Sequence, residues 1–555
     1  MSQNKNNGFI MQAGILAAAG IIVRIIGILY RSPLVAIIGD EGNGYYNTAY
    51  VIYTIILLVS SYSIPSATSK VIAARLALKE YKNAHRLFLG SIVYVLVVGS
   101  IASLVCFVGA EWFVGASSAK VLRIFAPTIF FSGLLGAFRG YFQAHRTMVQ
   151  TSLSQILEQI LNAVVSLLAA FMLMKLVTGQ DQTTQAIYGA MGSALGTGSG
   201  VVIALLFMLL VYAMNRKMFR KRMKNDRTEK VLSSGAIAKI IFCMVTPVVL
   251  STCIYNLSTA SNLKIYQEIM QLVKGYTEEQ ATTGYGFFSG KAMQIVNIPI
   301  ALASAMSAAI IPTIARTYEK KEYSETNKKI AKAIKVTMLI SIPSAVGLFA
   351  LSKPVTMLLY PQRASVDMVA SLIQVLSVTV IFYGLSTLSN AVLQGTGNVN
   401  IPVINALISL LLQAGVLVAL LLFTEFNLFA LCIATILYSF SMCILNGIAV
   451  KKRLGYYQET MKTFILPLVA SFWMGIAAYF ANMGMNYLIR LIYQDQGMEI
   501  AGINNAICLL ISVIIAVIVY FVFVIKLGVI TKKEMKDIPK GRLLLRISRK
   551  FHLIK

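Results

Sequence analysis

The residues best suited to chemistry in this chain are polar groups set inside apolar sequence, and their types point to holding an anion rather than to making bonds. Arg24 stands in Gly20-Ile-Ile-Val-Arg-Ile-Ile-Gly27, too deep in an apolar run to snorkel easily to either end. The flanking glycines let such a helix bend or approach a neighbour closely. A guanidinium there either pairs with a carboxylate or freed carbonyls, or faces a wet cavity and grips an anion. Glu158 is the only acid well inside an apolar run. It belongs to the stripe Gln155, Glu158, Gln159, Asn162 and Ser166, spaced i, i+3, i+4, i+7 and i+11, so these side chains share one helix face. That face cannot look at lipid; it lines a cavity or hydrogen-bonds to another helix. Asn405, Ser409 and Gln413 form a weaker stripe of the same kind. Arg31 and Arg123 complete the candidate set, and Lys291 opens an apolar run at its outer end, where snorkelling is easy.

Catalytic parts are missing. His85 and His145 fall in polar connections and His552 in a basic tail, and there is no HExxH, DxD, P-loop or paired-carboxylate arrangement. Metal-assisted hydrolysis, nucleotide-driven pumping and glycosyl transfer therefore lack their usual residues, and neither an enzyme nor a cofactor is expected. Gly196-Thr-Gly-Ser-Gly200 follows no strand and reads as helix packing. The six cysteines lie in apolar stretches without metal-ligand spacing and read as small buried hydrophobes.

Composition says what must position these residues. The chain has 555 residues, a net charge of +28, 57% hydrophobic residues and 13% charged ones. A soluble nucleic-acid binder would be more polar, and a mean hydropathy of +0.74 indicates that the main solvent is lipid. Runs of about 20 apolar residues can cross a hydrocarbon core of roughly 30 Å. About fourteen occur, near 9–31, 45–66, 87–110, 121–143, 152–174, 186–213, 237–262, 287–314, 332–352, 368–393, 401–423, 427–450, 463–485 and 503–526. No small-residue cleavage site closes the first, so it reads as a retained span. Most of the 49 Lys+Arg fall in Lys70–Arg86, Arg216–Lys239, Arg316–Lys335, Lys451–Lys462 and Lys526–Lys555. Fourteen spans put all of these on one side, which the positive-inside rule makes cytoplasmic, together with both termini.

An internal repeat follows. A shift of 251 residues superposes Thr128, Phe131, Gly133, Leu134 and Gln143 on Thr379, Phe382, Gly384, Leu385 and Gln394. A second echo pairs Ile64-Pro65 and Lys79-Glu80-Tyr81 with Ile311-Pro312 and Lys321-Glu322-Tyr323. The expected architecture is an all-α polytopic membrane protein of two six-helix lobes, 1–213 and 237–450, followed by two further helices in 451–527. A basic linker, 214–236, offers cations to anionic headgroups. The tail, 528–555, places Arg542, Arg546, Arg549 and Lys550 opposite Leu544, Ile547, Phe551 and Ile554, the pattern of an interfacial amphipathic helix. Neither segment interleaves the aromatic platforms of a nucleic-acid module. The longest outer loop, 263–287, reads as a solvated connector.

Specific motifs then carry a resemblance. Arg139-Gly-Tyr-Phe-Gln-Ala-His-Arg-Thr-Met148 followed by Ser154-Gln-Ile-Leu-Glu-Gln159, with Arg24-Ile-Ile-Gly27, Ile64-Pro-Ser-Ala67, Ile311-Pro312 and Leu393-Gln-Gly395 before Pro402, resembles the polysaccharide-transporter branch of the multidrug/oligosaccharidyl-lipid/polysaccharide (MOP) exporter superfamily. That branch includes the MurJ-type lipid II flippases and the stage V sporulation B proteins. The resemblance implies fourteen helices in two lobes around an alternately open cavity, and outward movement of undecaprenyl-diphosphate-linked sugars across the bacterial cytoplasmic membrane. It implies cell-wall synthesis machinery as a partner. It also maps a cavity cation onto Arg24 and another onto Lys291, through Lys291-Ala-Met-Gln294. The chain departs from the pattern in lacking a cation within its second span and in having Gln150 where a proline is usual.

The expected mechanism is that Arg24 and Lys291 draw the diphosphate outward while Glu158 pairs an arginine when the cavity is empty. Two rivals differ in chemistry. A cation-coupled drug exporter needs a membrane acid, for which only Glu158 is available; a membrane-embedded transferase on prenyl-linked sugars needs an acid or base near the interface.

Overall fold

Gly39 breaks the first long helix, because its φ of 72° and ψ of −177° lie in a region that essentially only glycine occupies. The structure is a computed structural model that describes residues 2–530 except 63, 146, 227, 229–230, 361 and 493–501. Side chains at 2–14, 17, 62, 244–255, 305–312, 363 and 492 also lie outside that description, as does the proposed amphipathic helix of the tail.

The first compact unit covers 1–286. It contains α1 (Ser2–Leu57), α2 (Ile64–Ala77), α3 (Tyr81–Val108), α4 (Ala110–Val114), α5 (Ala116–Ala144), α6 (Met148–Leu176), α7 (Gln182–Lys224), α8 (Ser234–Leu272) and α9 (Glu278–Tyr285). The second covers 287–555 and contains α10 (Met293–Glu319), α11 (Tyr323–Ala350), α12 (Ser352–Leu359), α13 (Arg363–Leu376), α14 (Thr379–Gly395), α15 (Asn400–Phe423), α16 (Leu428–Leu454), α17 (Leu466–Ile492) and α18 (Ile503–Lys526). Among the described residues ten helices are long and apolar enough to cross a membrane, or eleven if the bent pair α13 and α14 is one span. One of the ten, Ala18–Ala77, takes in the later part of the expected span 9–31 and all of 45–66, on either side of Gly39. The chain is thus an all-α, multi-pass membrane protein.

Proline chemistry explains the next irregularity. Pro65 lacks the N–H that would bond the Ser61 carbonyl, and the chain widens into a π-helical turn over Leu58–Tyr62 before α2. Within the first unit α5 is the central helix, with Leu122, Phe125, Ala126 and Ile129 fully buried. α6 and α7 pack through Gly192, Gly196 and Gly200. A Cβ on Gly200 would lie 2.6 Å from the Glu158 carbonyl oxygen, so these glycines do serve helix packing. The first unit runs on to Gly286 because Ile237 and Ile241 of α8 join a buried cluster with Leu87, Phe88 and Val201. In the second unit, Ala470, Met474 and Ala478 of α17 pack with Leu509, Ala516 and Tyr520 of α18, and the Tyr520 hydroxyl donates to Leu339 O at 2.8 Å.

Two connections differ from expectation. The segment 263–287 is not merely a solvated connector: α8 continues to Leu272, and α9 starts with a capping box between Thr277 and Gln280. The basic linker is helical as far as Lys224, and its Phe219 is buried among Tyr141, Tyr212 and His145. Of the cysteines, Cys106, Cys432 and Cys508 are buried, Cys443 is intermediate and Cys243 is exposed; Cys253 lies outside the described side chains.

The echoed turn has one conformation in both units. Lys79 and Lys321 adopt φ of 62° and 61°. Glu80 N–H donates to Arg75 O, and Glu322 N–H to Thr317 O, each at 3.0 Å. Glu80 and Glu322 then cap α3 and α11 with the same φ of −81°.

Candidate functional site

The polar stripe of α6 is turned inward. Leu153, Ile160, Val164, Leu168 and Phe171 are exposed on the outer face, whereas Gln155, Glu158, Gln159 and Asn162 are half-buried and Ser166 is fully buried. Helical periodicity alone separates the two faces. Ser166 Oγ donates to Asn162 Oδ1 at 3.0 Å and to Ser193 O at 3.1 Å. Thr197 Oγ1 also donates to Asn162 Oδ1, at 3.4 Å, and lies 3.5 Å from the Tyr46 hydroxyl. The lower part of the stripe is therefore helix glue, linking α6 to α7 and α1.

The upper part carries charge. Arg139 Nη2 donates to Glu158 Oε2 at 2.7 Å, and Arg139 Nε to Ser154 Oγ at 2.9 Å. Arg139 is not among the candidate residues drawn from the sequence; the structure puts it on α5, more than a turn before that helix ends, reaching across to α6. Its position in the Arg139-to-Met148 motif was the available signal, because a polar motif that begins inside an apolar run marks an inward face. The arginine expected to pair with Glu158 is thus Arg139.

α1 brings the remaining cations of this unit. A Cβ on Gly27 would lie 3.3 Å from Gln159 Nε2, so this face of α1 meets the α6 stripe. Arg24 is three residues earlier, on the same face, and is exposed. Arg31 is half-buried, on the same helix as Tyr46 and Tyr50. Those rings stack at 5.7 Å, and Tyr53 stacks on Phe125 at 4.7 Å. Arg123 does not join this set. It pairs with Glu111 at 2.9 Å, and both side chains are exposed.

Lys291 is the largest correction. It does not snorkel: it is fully buried in the second unit, in a π-helical segment, Gly286–Ala292. Its Nζ donates to Ser365 Oγ at 2.8 Å. The same atom lies 5.6 Å from the Phe287 ring centroid and 5.3 Å from that of Tyr360, whose hydroxyl donates to Gly290 O at 3.3 Å. A desolvated ammonium between two ring faces gains up to about 2 kcal/mol from each. The weaker stripe, also in the second unit, is a buried network: Asn405 Nδ2 donates to Asn446 Oδ1 at 2.8 Å, and Asn446 Nδ2 to Asn390 Oδ1 at 2.6 Å.

This geometry can stabilise an anion. A family model described as "Polysaccharide biosynthesis protein" matches residues 10–318, and one described as "MatE" matches 247–419. The lipid II flippase MurJ of Bacillus subtilis (strain 168) is 24% identical, over 95% of this chain and 98% of its own. Stage V sporulation protein B of the same organism is 23% identical, over 96% and 98%. Among solved structures, an inward-facing multidrug resistance MATE transporter of the MOP superfamily superposes with a TM-score of 0.67 at 17% identity, covering 80% of this chain and 98% of its own. A lipid II flippase MurJ in an inward closed conformation gives 0.65 at 15% identity, covering 92% and 97%.

Proposed function

Because the chain belongs to the polysaccharide biosynthesis protein family, we propose that it moves an undecaprenyl-diphosphate-linked saccharide, lipid II above all, outward across the bacterial cytoplasmic membrane by alternating access, with both termini inside. The observation that carries this reading is the inward polar face of α6, lying against the arginine-bearing face of α1. A diphosphate cannot cross hydrocarbon unless something replaces its hydration. Arg24 supplies a guanidinium matched to phosphate oxygens, and Gln155 and Gln159 supply neutral donors, while the prenyl tail stays in lipid. The resemblance assigns the diphosphate a second cation, Lys291, whose ammonium Phe287, Tyr360 and Ser365 enclose in this structure. An inside-negative potential favours outward movement by about 2.3 kcal/mol per charge per 100 mV.

The drug-exporter reading is weakened by the pairing of Glu158 with Arg139, which occupies the acid such a protein would use. The test is rescue of cells depleted of their lipid II flippase, scored with an assay of lipid II exposed on the outer leaflet. Wild type should restore both, and Arg24→Ala, expressed at the same level, neither. If wild type restores neither, the substrate is another polyprenyl-linked glycan; if Arg24→Ala restores both, Arg24 does not grip the diphosphate.

A further inference from the structure

The repeated Lys-Glu-Tyr turn has opposite surroundings in the two units. In the first, it is closed. The Lys82 backbone N–H, in the first turn of α3, donates to Asp226 Oδ2 at 2.6 Å, and Lys82 Nζ to Asp226 O at 3.2 Å. Glu80 is held by Arg75 at 3.2 Å and by Asn83 at 2.9 Å. Leu87 is buried in the cluster that contains Ile237 and Ile241. A carboxylate from the chain thus occupies a helix N-terminus, as the exposed N–H groups there favour.

In the second unit the same turn opens onto a surface cavity of about 370 Å³, lined by Thr313, Arg316, Thr317, Lys320, Glu322 and Lys329. Matching the two turns residue by residue sets Ser324 on Lys82, and Arg316, Lys320 and Lys329 on Ala74, Leu78 and Leu87. Three apolar positions of the first copy are cations in the second. None of these three has a carboxylate within ion-pair distance among the described residues, and nothing there accepts from the Ser324 N–H. Arg316, Lys320 and Lys329 outnumber Glu322, the one carboxylate in this lining, so a further anion among them relieves their mutual repulsion. The volume exceeds what one carboxylate fills. Beside it, Tyr318 and Tyr323 meet edge to face at 5.7 Å, with Tyr323 54% exposed, as aromatic side chains do at headgroup depth.

We propose that this cavity at the α10–α11 turn is a binding site for a phosphate group, supplied by an anionic lipid headgroup or by a soluble phosphate. It belongs to the second unit alone. Cations, a threonine hydroxyl and a free helix N-terminus together suit a phosphate's several acceptor oxygens.

Amine-reactive labelling of the intact protein in phosphatidylcholine nanodiscs tests this, with the exposed Lys120 and Lys175, outside the basic segments, as references. Replacing part of the lipid with phosphatidylglycerol, or adding inorganic diphosphate, should cut labelling of Lys320 and Lys329 about threefold relative to the references, as an occupancy of about two thirds implies. Protection by phosphatidylglycerol alone identifies a lipid headgroup as the source, and protection by diphosphate identifies soluble phosphate. Arg316→Gln should lower the protection while leaving reference labelling and thermal stability unchanged. The site does not exist if neither probe protects, if the reference lysines are protected equally, or if Arg316→Gln retains full protection.

Discussion

Arg139 and Glu158 meet at 2.7 Å between α5 and α6, with side chains 13% and 28% exposed. The pair is shielded enough to matter and wet enough to reorganise. Ser154 holds the guanidinium from a second direction, so the bond fixes a direction as well as a charge. Removing either partner leaves the other half-buried without its counter-charge. Glu158→Gln and Arg139→Gln should each destabilise the protein by about 1–2 kcal/mol, and the double variant by less than their sum. Thermal unfolding in detergent completes this cycle; strictly additive losses would mean that the two groups do not interact.

Lys291 is expected to separate stability from function. Lys291→Met keeps the stem between Phe287 and Tyr360 and exchanges the ring and Ser365 contacts of the ammonium for relief of a desolvated charge, two effects of opposite sign and similar size. The variant should therefore fold with a nearly unchanged melting temperature, while lipid-II-flippase rescue drops by at least about tenfold, the equivalent of roughly 1.4 kcal/mol. Normal rescue by a well-folded Lys291→Met would show that the ammonium is structural. Lys291→Arg should overfill the site, with a cost of about 1–3 kcal/mol.

Asp226 gives the docked linker a pH dependence. Burial raises its pKa, but hydrogen bonds from the Lys82 N–H and from Thr228 outweigh that and bring it below the ordinary value of 3.8. A depressed carboxyl contributes stability that is fully present above its unfolded value and lost as pH falls through the lower folded one. Hydrogen exchange at Lys82 and Leu232 should thus be flat from neutral pH down to about 4 and accelerate below it, after correction for intrinsic rates. Asp226→Asn should show the fast behaviour at neutral pH. Unchanged protection in that variant would mean that the linker docks by its apolar contacts alone.

Gly200 should tolerate no side chain. Gly200→Ala would set a methyl 2.6 Å from the Glu158 carbonyl and force α6 and α7 apart, at a cost of about 1–3 kcal/mol. Gly20→Ala, with nothing within 4 Å of the added carbon, should be neutral or slightly stabilising as a helix interior change. Fluorescence-detected size exclusion after heating would rank the two, and equal melting points would refute the close approach of α6 and α7.

Much of this was legible in sequence because it depends on one helix at a time. The partition of side chains between lipid and protein acts on each helix face, so spacing alone placed the α6 stripe inward. Hydropathy likewise located most of the long apolar helices, and the Lys-Glu-Tyr echo foretold a turn that both units share. Arg139, by contrast, stood outside the candidate set, since nothing in its own helix says that an acid nineteen positions later will come within reach.

The sequence by itself determined that the chain is an all-α membrane protein whose intramembrane polar groups are few, mostly cationic, and suited to an anion. Only the tertiary structure decided which of them pair. The Lys291 cage draws on Tyr360 and Ser365, and its π-helical register leaves no mark in composition. The α10–α11 cavity exists because a turn used twice is covered once. The physical reason is one of range: solvation reads each residue against its immediate neighbours, whereas ion pairs and cavities form between segments whose meeting depends on how whole helices pack.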